Sequence, residues 1–368
     1  MLLNNGRELK KKKLVFLIQS LHPGGMERVM AQLLDSFSCK PDIEIHLILY
    51  GINRDIFYPV PENIKIHLPP FTFNNDNRFF SILRTLKFLR SKIKEITPYS
   101  ILSFGEYWNS FVLISLLGTR NRVFVSDRCQ PNKSLGKIHD LLRRFLYPFA
   151  AGVIAQTSQA KEVFLKLYKN KNIKVIGNPI SIQKTPSKII RENVILSVGR
   201  LIDSKNYDRL IRMFSEIDTE NWKLIILGGD AIKQNNLQKL RAMVIELGME
   251  HKIELMGTVS DPEPYYQKSK IFAFTSSSEG FPNVIGEALS NGLPVISYNC
   301  IAGPSDLIDD AENGFLIDVF DDENYKKQLA EMMKNNSLWD YLHNNTVDSV
   351  KKYSKEPIAQ EYYNFICA

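Results

Sequence analysis

Cysteine and long apolar runs are both scarce in this chain of 368 residues. The two longest apolar stretches, residues 14–18 and 111–117, are too short for a signal-peptide core or a membrane span. The four cysteines have no metal-type spacing and indicate a reducing compartment. They are Cys39, Cys129, Cys300 and Cys367. The chain is therefore expected to be cytoplasmic or peripheral on a membrane.

The dinucleotide pattern G-x-G-x-x-G is missing too, as are low-complexity tracts and any repeat beyond two similar halves. Its absence disfavours a nicotinamide-dependent oxidoreductase. Hydrophobic residues make up 44% of the chain, which is enough for a substantial core. This length and composition predict two domains.

Positive charge is concentrated in the first half of the chain. Residues 1–187 contain 28 Lys and Arg against 13 Asp and Glu, whereas residues 188–368 contain 19 against 27. This split suggests that the first half meets a membrane surface, a phosphorylated acceptor or nucleic acid. A basic nucleic-acid-binding protein stays open as an alternative, although no RNA or DNA module signature accompanies the charge.

Short apolar runs that are typical of buried parallel strands alternate with helical segments along the chain, which predicts an α/β fold. The predicted strands are 14–18, 43–50, 64–68, 101–104, 123–126, 152–155, 194–198, 224–227, 253–256, 271–274, 295–297 and 314–317, and residues 174–180 close the first group. A polar, proline-interrupted stretch at 183–191 separates two groups of strands. It predicts one domain over 1–185, a second over 190–352 and a closing helix at 353–368.

Residues 271–297 combine a predicted strand, a turn of small polar residues, a helix at 283–290 and a further strand. The helix start directs free N–H groups to the carboxyl edge of the sheet, where a phosphate or another anion would bind. Glu279 lies in the turn and Glu287 two turns inside the helix, so both carboxylates could face one ligand. In isolation, such a pair is more simply a helix-capping residue and a solvated one.

The whole string resembles the signature of the large retaining glycosyltransferase family 4. The matching residues are Glu279-Gly280-Phe281-Pro282-Asn283-Val284, Glu287-Ala288 and Gly292-Leu293-Pro294-Val295. The resemblance implies the GT-B fold, an α/β architecture of two Rossmann-like domains that face each other across a cleft. It implies that Glu279 is catalytic and contacts the transferred sugar, and that Glu287 binds the ribose. The donor phosphates would be held by Gly280, Phe281, Pro282, Asn283 and Val284.

Further donor-site residues follow other predicted strands. Arg200 and Lys205 come after 194–198, where the resembled family places cations against the departing diphosphate. Gly228 and Val259 follow the next two strands and would border the base. Gly25, in a Gly-Gly turn that opens a helix, would lie near the transferred group.

Asp127, after the predicted strand 123–126, is the second candidate catalytic residue. Related transferases often carry an acid–His or Arg–Asn pair in this loop, whereas this chain has Asp127-Arg128. Asp127 could equally be a loop-capping residue.

A helix is predicted over 78–96, with Ile82, Leu86, Leu89 and Ile93 as its apolar stripe. Four cations lie on the neighbouring arc together with apolar side chains. They are Arg84, Lys87, Arg90 and Lys94. This arc could face lipid and hold a membrane-borne acceptor, or it could be an ordinary surface whose cations extend over the core.

These features predict a retaining hexosyltransferase that uses a nucleotide diphosphate sugar, with UDP-hexose or UDP-N-acetylhexosamine as the expected donor. The expected acceptor is a polyprenyl-diphosphate-linked saccharide of bacterial surface glycan synthesis, used at the inner face of the cell membrane. No D-x-D motif occurs, so activity without metal or cofactor is expected. A soluble acceptor and nucleotide-sugar epimerisation are the enzymatic alternatives. In the resembled fold, the closing helix at 353–368 crosses back onto the first domain.

Overall fold

The computed structural model describes residues 11–182, 190–231 and 234–368. Its fold is α/β, and the chain divides into two compact units. Unit 1 consists of residues 1–156, 160–179 and 355–368, and unit 2 of residues 157–159 and 180–354. The division falls at Pro179 and Ile180, whereas the sequence placed it near residue 185. Most of the predicted linker, residues 183–189, lies outside the described ranges.

Unit 1 contains a parallel sheet with the strand order β3-β2-β1-β4-β5-β6-β7. Its strands are β1 (Lys12–Ile18), β2 (Ile43–Leu49), β3 (Lys65–His67), β4 (Ser100–Phe104), β5 (Val123–Ser126), β6 (Gly152–Ala155) and β7 (Ile173–Val175). Its helices are α1 (Gly25–Ser38), α2 (Arg78–Ile96), α3 (Glu106–Ser115), α4 (Lys137–Leu146) and α5 (Ser158–Leu167), whose first two residues group with unit 2. The central strands are apolar along their length because helices cover both faces of the sheet.

Unit 2 contains a parallel sheet with the strand order β10-β9-β8-β11-β12-β13. Its strands are β8 (Val194–Val198), β9 (Lys223–Leu227), β10 (Ile253–Gly257), β11 (Ile271–Phe274), β12 (Val295–Tyr298) and β13 (Gly314–Ile317). Its helices are α6 (Tyr207–Glu216), α7 (Asn236–Glu246), α8 (Glu263–Lys268), α9 (Asn283–Ser290), α10 (Pro304–Leu307), α11 (Asp322–Lys334) and α12 (Asn336–Val350). The strand order reverses between β8 and β11, and parallel sheets bind ligands at such a switch point.

The last helix, α13 (Lys355–Cys367), belongs to unit 1 although it follows unit 2 in sequence. It packs against α1, where the rings of Phe37 and Tyr363 lie 6.0 Å apart. Tyr362 is fully buried and accepts a hydrogen bond of 2.7 Å from the Arg128 guanidinium. Unit 1 is therefore built from two separate parts of the chain.

The apolar stripe predicted for α2 is wrong in its first half. The structure buries Ser81 and Thr85 where the sequence predicted Ile82 and Leu86, which are only partly buried. The Thr85 hydroxyl donates to the Ser81 carbonyl at 2.8 Å, and Ser81 bonds to the backbone of Asn74. These local hydrogen bonds remove the cost of burying two hydroxyl groups. No helix within the described ranges is long and apolar enough to cross a bilayer.

Candidate functional site

The loops that follow β8 and β11 meet at the switch point of the second sheet. The Lys205 ammonium forms an ion pair with the Glu279 carboxylate across this point. Both side chains are only 15% exposed, so the pair is weakly screened by solvent. The structure thus brings together two residues that the sequence assigned to the diphosphate and to the sugar.

Three further hydrogen bonds fasten the two loops to each other. The Thr275 hydroxyl donates to the Lys205 carbonyl, the Asn206 amide to the Thr275 carbonyl and the Ser277 N–H to the Ser204 carbonyl, each at 2.8 Å. Asn206 adopts the left-handed conformation at φ 51°, which asparagine tolerates better than most residues. The positions of the cation and the carboxylate are therefore fixed by backbone contacts.

Tyr207 stabilises the loop that follows β8. Its hydroxyl donates to the Gly199 carbonyl at 3.1 Å. Burial, and after it the negative charge of Glu279, raises the pKa of Tyr207, which keeps the phenol protonated as a donor. Arg200 follows Gly199 and is exposed, and within the described part of the chain no ion pair holds it. Its guanidinium is available to an anionic ligand at the same edge.

The backbone of β9 approaches that of β8 closely at Gly228. A Cβ atom added to Gly228 would lie 1.8 Å from the Gly199 carbonyl oxygen, a distance that requires the backbone to move. The glycine is needed for this contact, and the contact sets the shape of the edge beside Arg200.

We expect Gly228→Ala to lower the melting temperature and to weaken UDP binding, because it separates two strands of the candidate site. Gly248→Ala is the matched control, since Gly248 has φ +66° but open space around its Cβ position. The control should cost only about 1 kcal/mol of conformational strain and leave UDP affinity unchanged. Calorimetric titration and thermal melting of both variants test this, and equal effects would contradict it.

The helix predicted at 283–290 is confirmed as α9. Glu287 lies on it, partly buried, and accepts a hydrogen bond of 3.2 Å from the Tyr266 hydroxyl. Phe281 is buried, with its ring centre 5.9 Å from that of Tyr353. Its side chain therefore packs in the core of unit 2 and is not exposed on the loop. Gly280, Asn283 and Val284 are partly exposed, and Pro282 is buried at the N-cap of α9.

Asp127 is not available for direct catalysis, and the structure corrects that prediction. Its carboxylate is 1% exposed and bonds to the Arg143 guanidinium at 2.5 Å. The Tyr147 hydroxyl and the Asn109 amide donate to its other oxygen, at 2.5 and 3.0 Å. Burial, and then the charge of Asp127, raises the pKa of Tyr147 well above its usual value, so that it stays a donor. Asp127 therefore stabilises the interior of unit 1.

The remaining predicted residues lie elsewhere in unit 1 and unit 2. Gly25 begins α1 directly after the first strand's loop, and Val259 follows β10. On α2, the Arg84 guanidinium lies 4.3 Å from the centre of the Phe71 ring, and Arg90 donates to the carbonyls of Ser115, at the end of α3, and Leu117. In the described ranges, only Lys87 and Lys94 of the four cations have no such partner. All four side chains are exposed, so the predicted four-cation face stays a prediction.

Sequence reasoning missed the partners of the candidate residues. Tyr266 precedes Glu287 by 21 residues, and no motif links them. No sequence pattern marks Arg143 either, because only the structure shows which side of α4 is turned to the interior.

Two Rossmann-like units, one of which carries cations, close-packed glycines and a partly buried carboxylate at its switch point, define a protein of the GT-B class. Solved structures with this fold align over nearly the whole chain. The lipopolysaccharide outer core galactosyltransferase WaaB, in its apo form, superimposes with a TM-score of 0.81 and 22% identity, covering 96% of this chain and 99% of WaaB. HepE from Anabaena, in complex with UDP, gives a TM-score of 0.81 and 18% identity, with the same coverage.

Residues 181–349 match the family model described as glycosyl transferases group 1. The N-acetylgalactosamine-N,N'-diacetylbacillosaminyl-diphospho-undecaprenol 4-alpha-N-acetylgalactosaminyltransferase of Campylobacter jejuni is 29% identical, covering 96% of this chain and 99% of its own. The amylovoran biosynthesis glycosyltransferase AmsD of Erwinia amylovora is 26% identical, covering 89% and 91%. The chain is therefore a glycosyltransferase of the GT-B fold, as the sequence predicted, and its residues 181–349 are similar to the group 1 glycosyl transferases.

Proposed function

We propose that this glycosyltransferase moves a hexose or N-acetylhexosamine from a UDP-sugar, with retention of configuration, to a saccharide carried on a polyprenyl diphosphate. The product would be a bacterial surface glycan. The observation that carries the donor half of this proposal is the Lys205–Glu279 ion pair at the switch point of the second sheet.

The chemistry of the pair supports transfer from a nucleotide diphosphate. Lys205 and Arg200 supply positive charge for a departing diphosphate, whose negative charge increases as the glycosidic bond breaks. Glu279 supplies the opposite charge, which favours the developing positive character of the sugar ring. These cations can stabilise the leaving group without a divalent metal, so the proposal includes turnover that survives chelation with EDTA.

The acceptor half of the proposal depends on the relatives and on charge. The Campylobacter relative is named for a diphospho-undecaprenol substrate and the Erwinia relative for amylovoran biosynthesis. A lipid-linked acceptor fits the excess of Lys and Arg in residues 1–187. It also implies that the protein works at the inner face of the cell membrane.

A donor screen tests the proposal. Release of UDP or GDP from nucleotide sugars would be measured with and without detergent-solubilised polyprenyl-diphosphate saccharides, and the anomeric coupling of the product would be read by NMR. We expect acceptor-dependent UDP release and an unchanged anomeric configuration. Release without any acceptor would indicate epimerisation, and an inverted product would exclude retention.

We expect Arg200→Ala to weaken UDP binding and to leave uridine binding nearly unchanged, because only UDP carries the diphosphate. The loss should be about 1.5–3 kcal/mol, the usual worth of a hydrogen bond to a charged group. Calorimetry with both ligands measures it. Lys223→Ala is the matched control. Lys223 is an exposed cation at the start of β9, the end far from the candidate site, and it pairs with Glu254 on β10. Equal losses for UDP and uridine would refute the role of Arg200 in binding the diphosphate.

A further inference from the structure

Helix α4 turns three of its five apolar residues outward and buries a charged residue. At 100° per residue, Ile138, Leu141 and Phe145 share an arc of about 60°, and they are 74%, 55% and 63% exposed. The opposite arc carries Arg143, which is buried on Asp127, and Leu146. A surface helix of a monomer normally has the reverse arrangement, so the outer face requires an explanation.

The exposed apolar arc continues beyond the end of the helix and is bordered by cations. Phe149, three residues after α4, is 72% exposed. Lys137 and Arg144 occupy the arc next to Leu141, and both are exposed. No residue in the described ranges forms an ion pair with either of them. Apolar and cationic side chains thus lie side by side on one surface.

A cavity of about 440 Å³ opens beside this arc, between α4 and the loop that precedes it. Its walls include Lys133, Lys137, Arg144 and Leu141. Asp140, the acidic residue in its lining, is already bonded to the Ser134 hydroxyl at 2.5 Å and the Leu135 N–H at 2.9 Å. Lys133, Lys137 and Arg144 outnumber this one carboxylate, so the net charge of the cavity is positive and suits a phosphate group.

We propose that this surface docks on an anionic lipid bilayer, with lipid phosphates at the cavity and the apolar side chains in the acyl boundary. The α4 surface consists of Ile138, Leu141, Phe145, Phe149, Lys133, Lys137 and Arg144. A face that combines cations with large apolar side chains matches the two layers of a bilayer interface. A second copy of the chain fits worse, because a twofold contact brings the same surface twice and the residues of the α4 surface include no acidic partner for its cations. The inference rests on the proposed function only in that a lipid-linked acceptor requires a membrane.

Vesicle sedimentation with phosphatidylglycerol in phosphatidylcholine tests the docking. One variant changes Lys137 and Arg144 to Gln, a second changes Ile138, Leu141 and Phe145 to Ser, and the matched control changes Lys87 and Lys94 of α2 to Gln. All substituted side chains are exposed, so melting temperatures should stay close to that of the wild type. We expect wild-type binding that weakens with salt and falls about fivefold per cation removed from α4. The apolar variant should lose binding at every salt concentration, and the α2 control should retain it.

Three results would overturn the proposal: wild-type protein that does not bind anionic vesicles, α4 variants that bind as well as wild type, or equal losses in the α2 control. Sedimentation velocity adds a fourth, since a dimer that dissociates in the apolar variant would make a second copy the occupant. UDP release with detergent-solubilised acceptor, measured in parallel, tests the proposed function separately. Turnover in detergent should be unchanged in every α4 variant.

Discussion

Replacing Glu279 by glutamine should lower kcat by about 10²–10³ while UDP still binds. The amide keeps the size of the side chain but removes the negative charge that favours the developing positive charge on the sugar, and a single such electrostatic group is worth about that much. Lys205 loses its ion-pair partner in this variant and remains free to bind the diphosphate. Stopped assays of UDP release give kcat, and calorimetry gives the UDP dissociation constant.

The control for this variant lies on the neighbouring helix. Glu287→Ala should mainly weaken nucleotide binding, and Tyr266→Phe should reproduce part of that loss, because the Tyr266 hydroxyl donates to the Glu287 carboxylate. Neither should approach the loss of kcat in Glu279→Gln. Unchanged turnover in Glu279→Gln would remove this residue from the catalytic set.

Replacing Asp127 by alanine should destabilise unit 1 by about 3–5 kcal/mol, because it leaves the Arg143 guanidinium buried without its partner. The Arg143 side chain is only 4% exposed, so water cannot replace the carboxylate. Changing Asp127 to Asn and Arg143 to Met together should recover part of the loss, since no buried charge is then left unpaired. Denaturant unfolding of the single and double variants measures both effects.

A further single variant, Asp127→Asn, distinguishes a structural from a catalytic role of Asp127. The structural role predicts that Asp127→Asn lowers the melting temperature, while the molecules that remain folded keep most of their kcat. A catalytic base would give the opposite result, with a large loss of kcat and little change in melting temperature. That second outcome would restore Asp127 as a catalytic residue.

Much of the fold could be predicted, because strands that are buried on both faces appear in the sequence as continuous apolar runs. The predicted strands 123–126, 152–155, 194–198, 271–274 and 314–317 coincide with β5, β6, β8, β11 and β13. The buried face of α2 could not be predicted, because Ser81 and Thr85 are buried by hydrogen bonds that a hydrophobic pattern does not record.

The sequence suggested which residues form the candidate site, but it could not give the contacts between them. The motif that contains Glu279 marks a loop at the ligand edge, but Lys205 lies 74 residues earlier. Their ion pair depends on β8 and β11 being neighbours, which follows from strand order and not from local sequence. Asp127 shows the reverse case: its position after a strand indicated a ligand-facing loop, and its neighbours Arg143 and Tyr147 turned the carboxylate inward.

The placement of α13 in unit 1 has a consequence for synthesis on the ribosome. Unit 2 is complete once residue 354 has emerged, whereas the core of unit 1 still lacks the helix that covers α1 and binds Arg128 through Tyr362. Domains generally fold as they emerge, starting from the N-terminus, but here unit 1 must wait for a helix that is made after all of unit 2. Nascent chains stalled before residue 355 should thus expose the apolar surface of α1, and they are the species most prone to aggregate or to need a chaperone.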